Sequence, residues 1–203
     1  QEMWSVAAGG PGLVAVGISY GHAAVWVSPP PADGQMPGAD TGFTPEWTRI
    51  DDQAFGGEGS QRISQIIAGG PGLVAVGSDT VVTHTGGAVQ VSGGPSDGVV
   101  WVSVDGATWT RVDGGAFAGA RVVTMVPGGP GLVAAGSAPN GEETDAAVWV
   151  STDGQAWTRI EDDAQFGGSR DQRIVAVSSI GLGLVAIGED WSGGPPVTVA
   201  WVS

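Results

Sequence analysis

GGPGLVAVG occupies residues 9–17 and returns unchanged at residues 69–77. It recurs as GGPGLVAAG at 128–136 and as IGLGLVAIG at 180–188. A phrase that returns at a spacing of roughly 50 to 60 residues makes each copy one structural unit whose apolar faces are covered by its neighbours. Three further phrases travel with it. One opens with arginine: Arg62-Ile-Ser-Gln-Ile-Ile, Arg121-Val-Val-Thr-Met-Val and Arg173-Ile-Val-Ala-Val. Another is Ala23-Ala-Val-Trp-Val-Ser28, repeated at 99–103, 146–151 and 198–203. The last is Trp47-Thr-Arg-Ile50, repeated at 109–112 and 157–160.

All four phrases are short, rich in Val, Ile and Trp, and bounded by Gly, Pro and Asp, which makes them strands. No apolar stripe of helical period and length competes with that reading. Gly-Pro-Gly between the first and second strands predicts a type II turn, with Pro71 supplying the fixed φ and Gly72 the positive one. Pro11 with Gly12 and Pro130 with Gly131 repeat it. Asp105-Gly106 and Asp153-Gly154 predict tight hairpins between the third and fourth strands. Near-continuous apolar strands imply burial on both sheet faces. Four-stranded antiparallel sheets covered by like neighbours are β-propeller blades. The blades fall at about 1–50, 51–112, 113–160 and 161–203, the last lacking its outer strand. Closure as four blades, two chains forming eight, and a larger ring all satisfy the pattern.

Composition narrows the classes of function. The chain has 203 residues, 37 glycines, no cysteine, no lysine, and a net charge of −14. Without cysteine there are no disulfides and no thiolate metal sites. The acidic balance argues against nucleic acid or anionic membrane as a partner. No run approaches the ~18 apolar residues of a membrane span. A start at Gln1 without a basic-then-apolar leader fits a mature secreted product, extracellular or cell-surface, or a piece of something longer.

Ser103-Val-Asp-Gly-Ala-Thr-Trp109 and Ser151-Thr-Asp-Gly-Gln-Ala-Trp157 resemble the Asp-box, or BNR repeat, of sialidase-like propellers of the secreted bacterial type. The family pattern is Ser-x-Asp-x-Gly-x-Thr-Trp, one residue longer than the match here. The resemblance implies that the Asp closes its turn through backbone hydrogen bonds and that the Trp packs between sheets. It implies a fold rather than an activity, because the Asp-box lies away from the active face of such propellers.

Seven tryptophans sit at repeat positions: Trp26, Trp47, Trp101, Trp109, Trp149, Trp157 and Trp201. Burying one removes up to ~250 Å² from water, a gross gain of roughly 6 kcal/mol, which accounts for them as core. Trp4 and Trp191 fall outside the pattern, and Trp191 is a candidate for stacking on a ligand. Arg62, Arg121 and Arg173 open the first strands of three blades and Glu2 takes that place in the other. Guanidinium suits carboxylate bidentately, so the three arginines are candidates for an anion site. Arginines placed this way beside acidic loops also make structural ion pairs. A sialidase further needs a tyrosine nucleophile with a glutamate partner, and the one tyrosine is Tyr20, in a short loop. Arg49, Arg111 and Arg159 are expected to face solvent.

Of the 21 acidic residues, fifteen fall in the loops 18–22, 51–61, 78–98, 113–120, 137–145, 161–172 and 189–198, all assigned to one face. No cofactor is expected beyond calcium, which takes carboxylate and carbonyl oxygens, although no loop has the alternating Asp spacing of a calcium loop. His22 and His84 lack partners at metal-ligand spacing. Two insertions break the repeat, 29–46 and 78–98, and the second is expected to form an extra hairpin around His84. That insertion with Tyr20 and Trp191 forms the expected epitope. The reading is a secreted or surface-displayed, non-catalytic binding or assembly module that recognises a protein or a glycan. The alternatives are a glycoside hydrolase or lyase of the BNR-like class and a structural subunit that oligomerises.

Overall fold

A computed structural model of the chain describes residues 1–10, 12–30, 46–56, 60–80, 82–85, 88–91, 97–112, 115–129, 131–161, 163–181 and 183–203. For 82–85, 88–91, 163 and 164 it describes backbone alone. The Pro11 and Pro130 turn positions and most of the 29–46 insertion lie outside the described residues.

The described chain is built from antiparallel sheets, with helix confined to single turns. Sheet I holds β1 (Glu2–Gly9), β2 (Gly12–Ser19), β3 (His22–Ser28) and β4 (Thr48–Ile50) in that spatial order. Sheet II begins with β5 (Ser60–Gly69) and β6 (Gly72–Thr80). A separate two-stranded hairpin follows, β7 (Val82–Thr85) with β8 (Ala88–Val91), as the insertion foretold. Sheet II then resumes with β9 (Asp97–Ser103) and β10 (Thr110–Val112). Sheet III is β11 (Arg121–Gly128), β12 (Gly131–Asn140), β13 (Glu143–Ser151) and β14 (Thr158–Arg159). After a one-turn helix, α1 (Asp163–Phe166), sheet IV contains three strands: β15 (Gln172–Ile180), β16 (Gly183–Asp190) and β17 (Val197–Val202).

Both turn predictions need correction. Gly69 pairs with Gly72, so Gly70 and Pro71 are the two central residues of the first hairpin. The left-handed φ falls at Gly70, 55°, with Pro71 second, which is the II′ arrangement rather than type II; Gly72 also has a positive φ, 159°, but close to extended and outside the two central residues. A II′ turn wins because its twist matches that of the flanking strands. The Asp-Gly pairs likewise do not make two-residue hairpins, since six residues separate β9 from β10. Ser103 Oγ accepts from the Gly106 amide (2.8 Å), and Asp105 Oδ1 from Ala107 and Thr108 (2.9 and 2.7 Å). Trp109 Nε1 donates to the Gly106 carbonyl at 3.0 Å. Asp153 accepts in the same way from Gln155 and Ala156, and Trp157 Nε1 donates to Gly154.

The sheets pack face to face in chain order, with one apolar core at each junction. Val14, Val16 and Val25 of sheet I meet Ile63, Ile66, Leu73 and Trp101 of sheet II. Val74, Val76 and Val100 meet Val122, Met125, Leu132 and Trp149 of sheet III. Ala135 and Ala146 meet Ile174 and Ala186 of sheet IV. Trp26, Trp101, Trp109 and Trp149 are buried as expected, while Trp47, Trp157 and Trp201 are half-buried.

The connections carry a repeat that the strand phrases concealed. Phe55, Phe117 and Phe166 lie between sheets, each against the third-strand tryptophan of the next sheet, at ring-centroid distances of 6.1, 5.2 and 6.3 Å. Each of those indoles donates to the carbonyl just before its phenylalanine: Trp101 to Ala54, Trp149 to Ala116, Trp201 to Gln165, at 2.8, 2.8 and 2.7 Å. A buried indole N–H needs such a partner.

Candidate functional site

Every first strand carries an irregularity at the same position. Register shifts fall between Met3 and Ser5, Ile63 and Gln65, Val122 and Thr124, and Ile174 and Ala176. These are β-bulges, which unpair one residue and re-aim its side chain. The bulge also presses the preceding carbonyl onto the facing second strand. A Cβ added at Gly17, Gly77, Gly136 or Gly188 would overlap the carbonyl oxygen of Glu2, Arg62, Arg121 or Arg173 respectively. The closing glycine of LVAVG is therefore the counterpart of the bulge.

Three bulged residues, Trp4, Ser64 and Val123, line one pocket of about 510 Å³ together with Arg62, Arg121 and Ser78. The Arg62 guanidinium lies over the Trp4 ring, 5.0 Å from its centroid. The same indole donates through Nε1 to Glu2 Oε2 at 3.0 Å. Trp4 is thus fixed at its edge by a carboxylate while its face holds a cation, a geometry that pre-orients Arg62. Glu2 stands where the other first strands have arginine, and its role here is to position Trp4.

The arginines divide into two groups. Arg111 pairs with Asp79 at 2.7 Å, Arg173 with Glu189 at 2.6 Å, Arg49 with Asp51 at 3.6 Å and Arg159 with Glu161 at 3.9 Å. Among the described residues, neither Arg62 nor Arg121 has a carboxylate at salt-bridge distance. The cross-strand registers explain the difference. Arg62 faces Ser78 and Arg121 faces Ser137, whereas Arg173 faces Glu189. Two like charges share one pocket in a protein whose net charge is −14. An anion placed between them would relieve their repulsion.

The expectation that Arg49, Arg111 and Arg159 face solvent holds for Arg49, which is exposed, and is corrected for Arg111 and Arg159, whose side chains are 31 and 28% exposed. Arg111 and Arg49 each reach back to the second strand of their sheet, Arg111 to Asp79 and Arg49 to Ser19 Oγ at 3.3 Å. Two grooves of about 420 and 200 Å³, lined by Arg49 with Phe55 and by Arg111 with Phe117, are repeat-equivalent products of that geometry.

Arg173 stands apart from the Arg62–Arg121 pocket, its guanidinium stacked on Trp191 at 5.0 Å and engaged with Glu189. Tyr20 is 85% exposed at the tip of the β2–β3 turn, where its φ of 53° and the 85° of Gly21 make a I′ hairpin. His84 lies on β7, and its side chain is outside the described residues. Tyr20, His84 and Trp191 belong to different sheets, and no ring contact or hydrogen bond among the described residues links Tyr20 to Trp191. What strand reading missed was Trp4 as a pocket wall. Its signal was there: a large aromatic inside a first-strand phrase, at the position where sheet II has Ser64. No three His, Asp or Glu residues among those described converge as a metal-ion site. Comparison with protein-family models, with curated proteins and with solved structures gave no significant match.

Proposed function

We propose that the chain is a non-catalytic binding module built on β-propeller blades, and that it recognises an anionic group on a glycan or protein partner. The observation that carries this reading is the pocket in which Arg62 and Arg121 stand together beside Trp4, neither having a carboxylate at salt-bridge distance among the described residues. Two guanidinium forks can donate bidentately to a carboxylate or sulfate, Ser64 and Ser78 offer hydroxyls, and the Trp4 indole forms a rigid wall. The surrounding acidic loops repel anions at long range, so the preferred ligand is one carrying a single localised charge on an otherwise neutral body.

Titration calorimetry against acidic and neutral oligosaccharides and acidic peptides tests the proposal. Arg62→Gln and Arg121→Gln should each weaken binding of the acidic ligand by about tenfold or more, the usual effect of removing one partner of a charge-assisted contact. Binding that is indifferent to both substitutions would sink it.

A second reading, assembly between copies, is favoured by the outer faces of the terminal sheets. Met3 and Val6 on sheet I, and Ile187 and Val202 on sheet IV, are exposed where their repeat equivalents Ile63, Ile66, Val76 and Val102 are buried.

A further inference from the structure

The first strands are the edges of their sheets. β1, β5, β11 and β15 each stand at one end of the strand order and pair only with the second strand. An edge strand leaves a row of N–H and C=O groups without ladder partners. At Met125 on β11 both groups are taken by one side chain from the neighbouring sheet. Gln65 Nε2 donates to the Met125 carbonyl at 2.9 Å, and Gln65 Oε1 accepts from the Met125 amide at 2.7 Å. A planar amide bonded to both groups of one residue acts as a single residue of an added strand. Sheets I and II are linked at the same place: Ser5 Oγ accepts from the Ile66 amide at 3.2 Å. Ser5 and Gln65 are repeat equivalents, and so are Ile66 and Met125.

Each clamp starts from the residue that follows a bulge. Trp4 and Ser64 are the bulged residues and line the arginine pocket, while Ser5 and Gln65, next in the chain, hold the following first strand. The pocket takes its walls from sheets I, II and III, the three that these clamps join. Arg173 of sheet IV is engaged elsewhere, by Glu189 and Trp191. Arg62 lies three residues before Gln65, and Arg121 four before Met125. A strand rises about 3.3 Å per residue, so a one-residue slip between β5 and β11 would displace one guanidinium from the other by about that distance. Charge-assisted hydrogen bonds span only about 2.7–2.9 Å, so an anion held by both arginines would then lose one of them.

We propose that Gln65 is the positioning residue of this pocket and Ser5 its counterpart. By clamping neighbouring first strands, they set the register in which Arg62 and Arg121 grip one oxyanion beside Trp4. The role rests on the reading of the pocket as an anion site. Neither Gln65 nor Ser5 lines the pocket, so both act through the arginines and Trp4.

Inorganic sulfate is the probe, titrated calorimetrically into the purified chain at low ionic strength. Gln65→Leu keeps the side-chain volume and removes both bonds. It should weaken sulfate binding about tenfold. Arg121→Gln, which should cost about tenfold in the parent, should cost less than about twofold in the Gln65→Leu background, because Arg121 is already out of reach. A general loss of stability would lower Tm and leave the effect of Arg121→Gln unchanged. Hydrogen exchange at the Met125 amide should quicken in Gln65→Leu with or without sulfate. Ser5→Ala should weaken sulfate binding about threefold, and Ser5→Thr, which keeps the hydroxyl, should restore it. That pair carries the test if Gln65→Leu does not fold, and parent-like affinity in Ser5→Ala would then overturn the proposal. Parent-like affinity in Gln65→Leu, or an undiminished effect of Arg121→Gln in that background, would overturn the positioning role and leave the anion site standing. Absence of sulfate binding by the parent chain would overturn the anion site itself and this role with it.

Discussion

Gly77 shows how much one hydrogen atom in place of a side chain can decide. Its Cα faces the Arg62 carbonyl across the bulge, and a methyl group there would collide with backbone rather than with a movable side chain. Gly77→Ala is expected to cost about 2–4 kcal/mol, because the first strand must shift as a whole. Gly193→Ala, with nothing within 4 Å, should stay within ~0.5 kcal/mol. Urea unfolding midpoints of the two variants make the comparison. Asp105 governs a different property. Its bonds from the Thr108 and Ala107 amides, with that from Ser103, hold its carboxyl below the ordinary value of 3.8. Asp153 is lowered for the same reason by Ala156 and Gln155. A depressed folded pKa means that the stabilisation is complete above the unfolded value and is lost as pH falls through the folded one. The acid limb of the Tm-against-pH curve below pH 3.8 should therefore flatten in the Asp105→Asn, Asp153→Asn double variant. An unchanged limb would mean that these turns do not contribute to acid unfolding.

At the scale of elements, the phenylalanine between sheets is the fastening. Phe117 is buried against both Trp149 and Trp157, at 5.2 and 5.6 Å, and seals the junction of sheets II and III. Phe117→Ala should cost about 3–5 kcal/mol, the range for a buried aromatic removed from a packed core. Phe166→Ala should cost less, because Phe166 is half-buried and among the described residues its one ring contact is with Trp201. Thermal unfolding of the pair checks the order, and a reversed order would contradict the fastening role. The strand phrases were legible because strand burial writes itself as runs of Val, Ile and Trp. The bulges were not, since a bulge alters pairing without altering hydrophobicity, and only the glycine opposite it leaves a trace. The Gly-Pro-Gly turn at Gly70 and Pro71 was placed correctly but typed wrongly. Turn type depends on which residues pair, and pairing is a property of two strands rather than of the turn.

For the whole molecule, packing in chain order leaves two terminal faces. No core cluster among the described residues joins sheet IV back to sheet I. Met3 and Val6 are 45 and 57% exposed, and Ile187 and Val202 are 45 and 68% exposed. If these faces meet between copies, Val6→Asp or Ile187→Asp should convert an oligomer to a monomer in light scattering with little change in Tm, since neither residue is in a core. A strictly monomeric parent chain at high concentration would remove the assembly reading. The outer face of sheet IV, which carries Ile187, is not a plain copy of the internal ones. Gly9, Gly69 and Gly128 each abut a leucine of the next sheet, Leu73, Leu132 and Leu184. Sheet IV has Ile180 at that place, which narrows the seat for a leucine. Sequence by itself determined the all-β class, the number of repeats, the strands, the extra hairpin and most of the buried tryptophans, because each follows from local hydrophobicity recurring at a fixed spacing. Only the tertiary structure decided which arginines are already neutralised and which share a pocket with Trp4. That depends on the residue facing each arginine across a strand and on a bulge that redirects its neighbour, and neither is a property of any one stretch of chain.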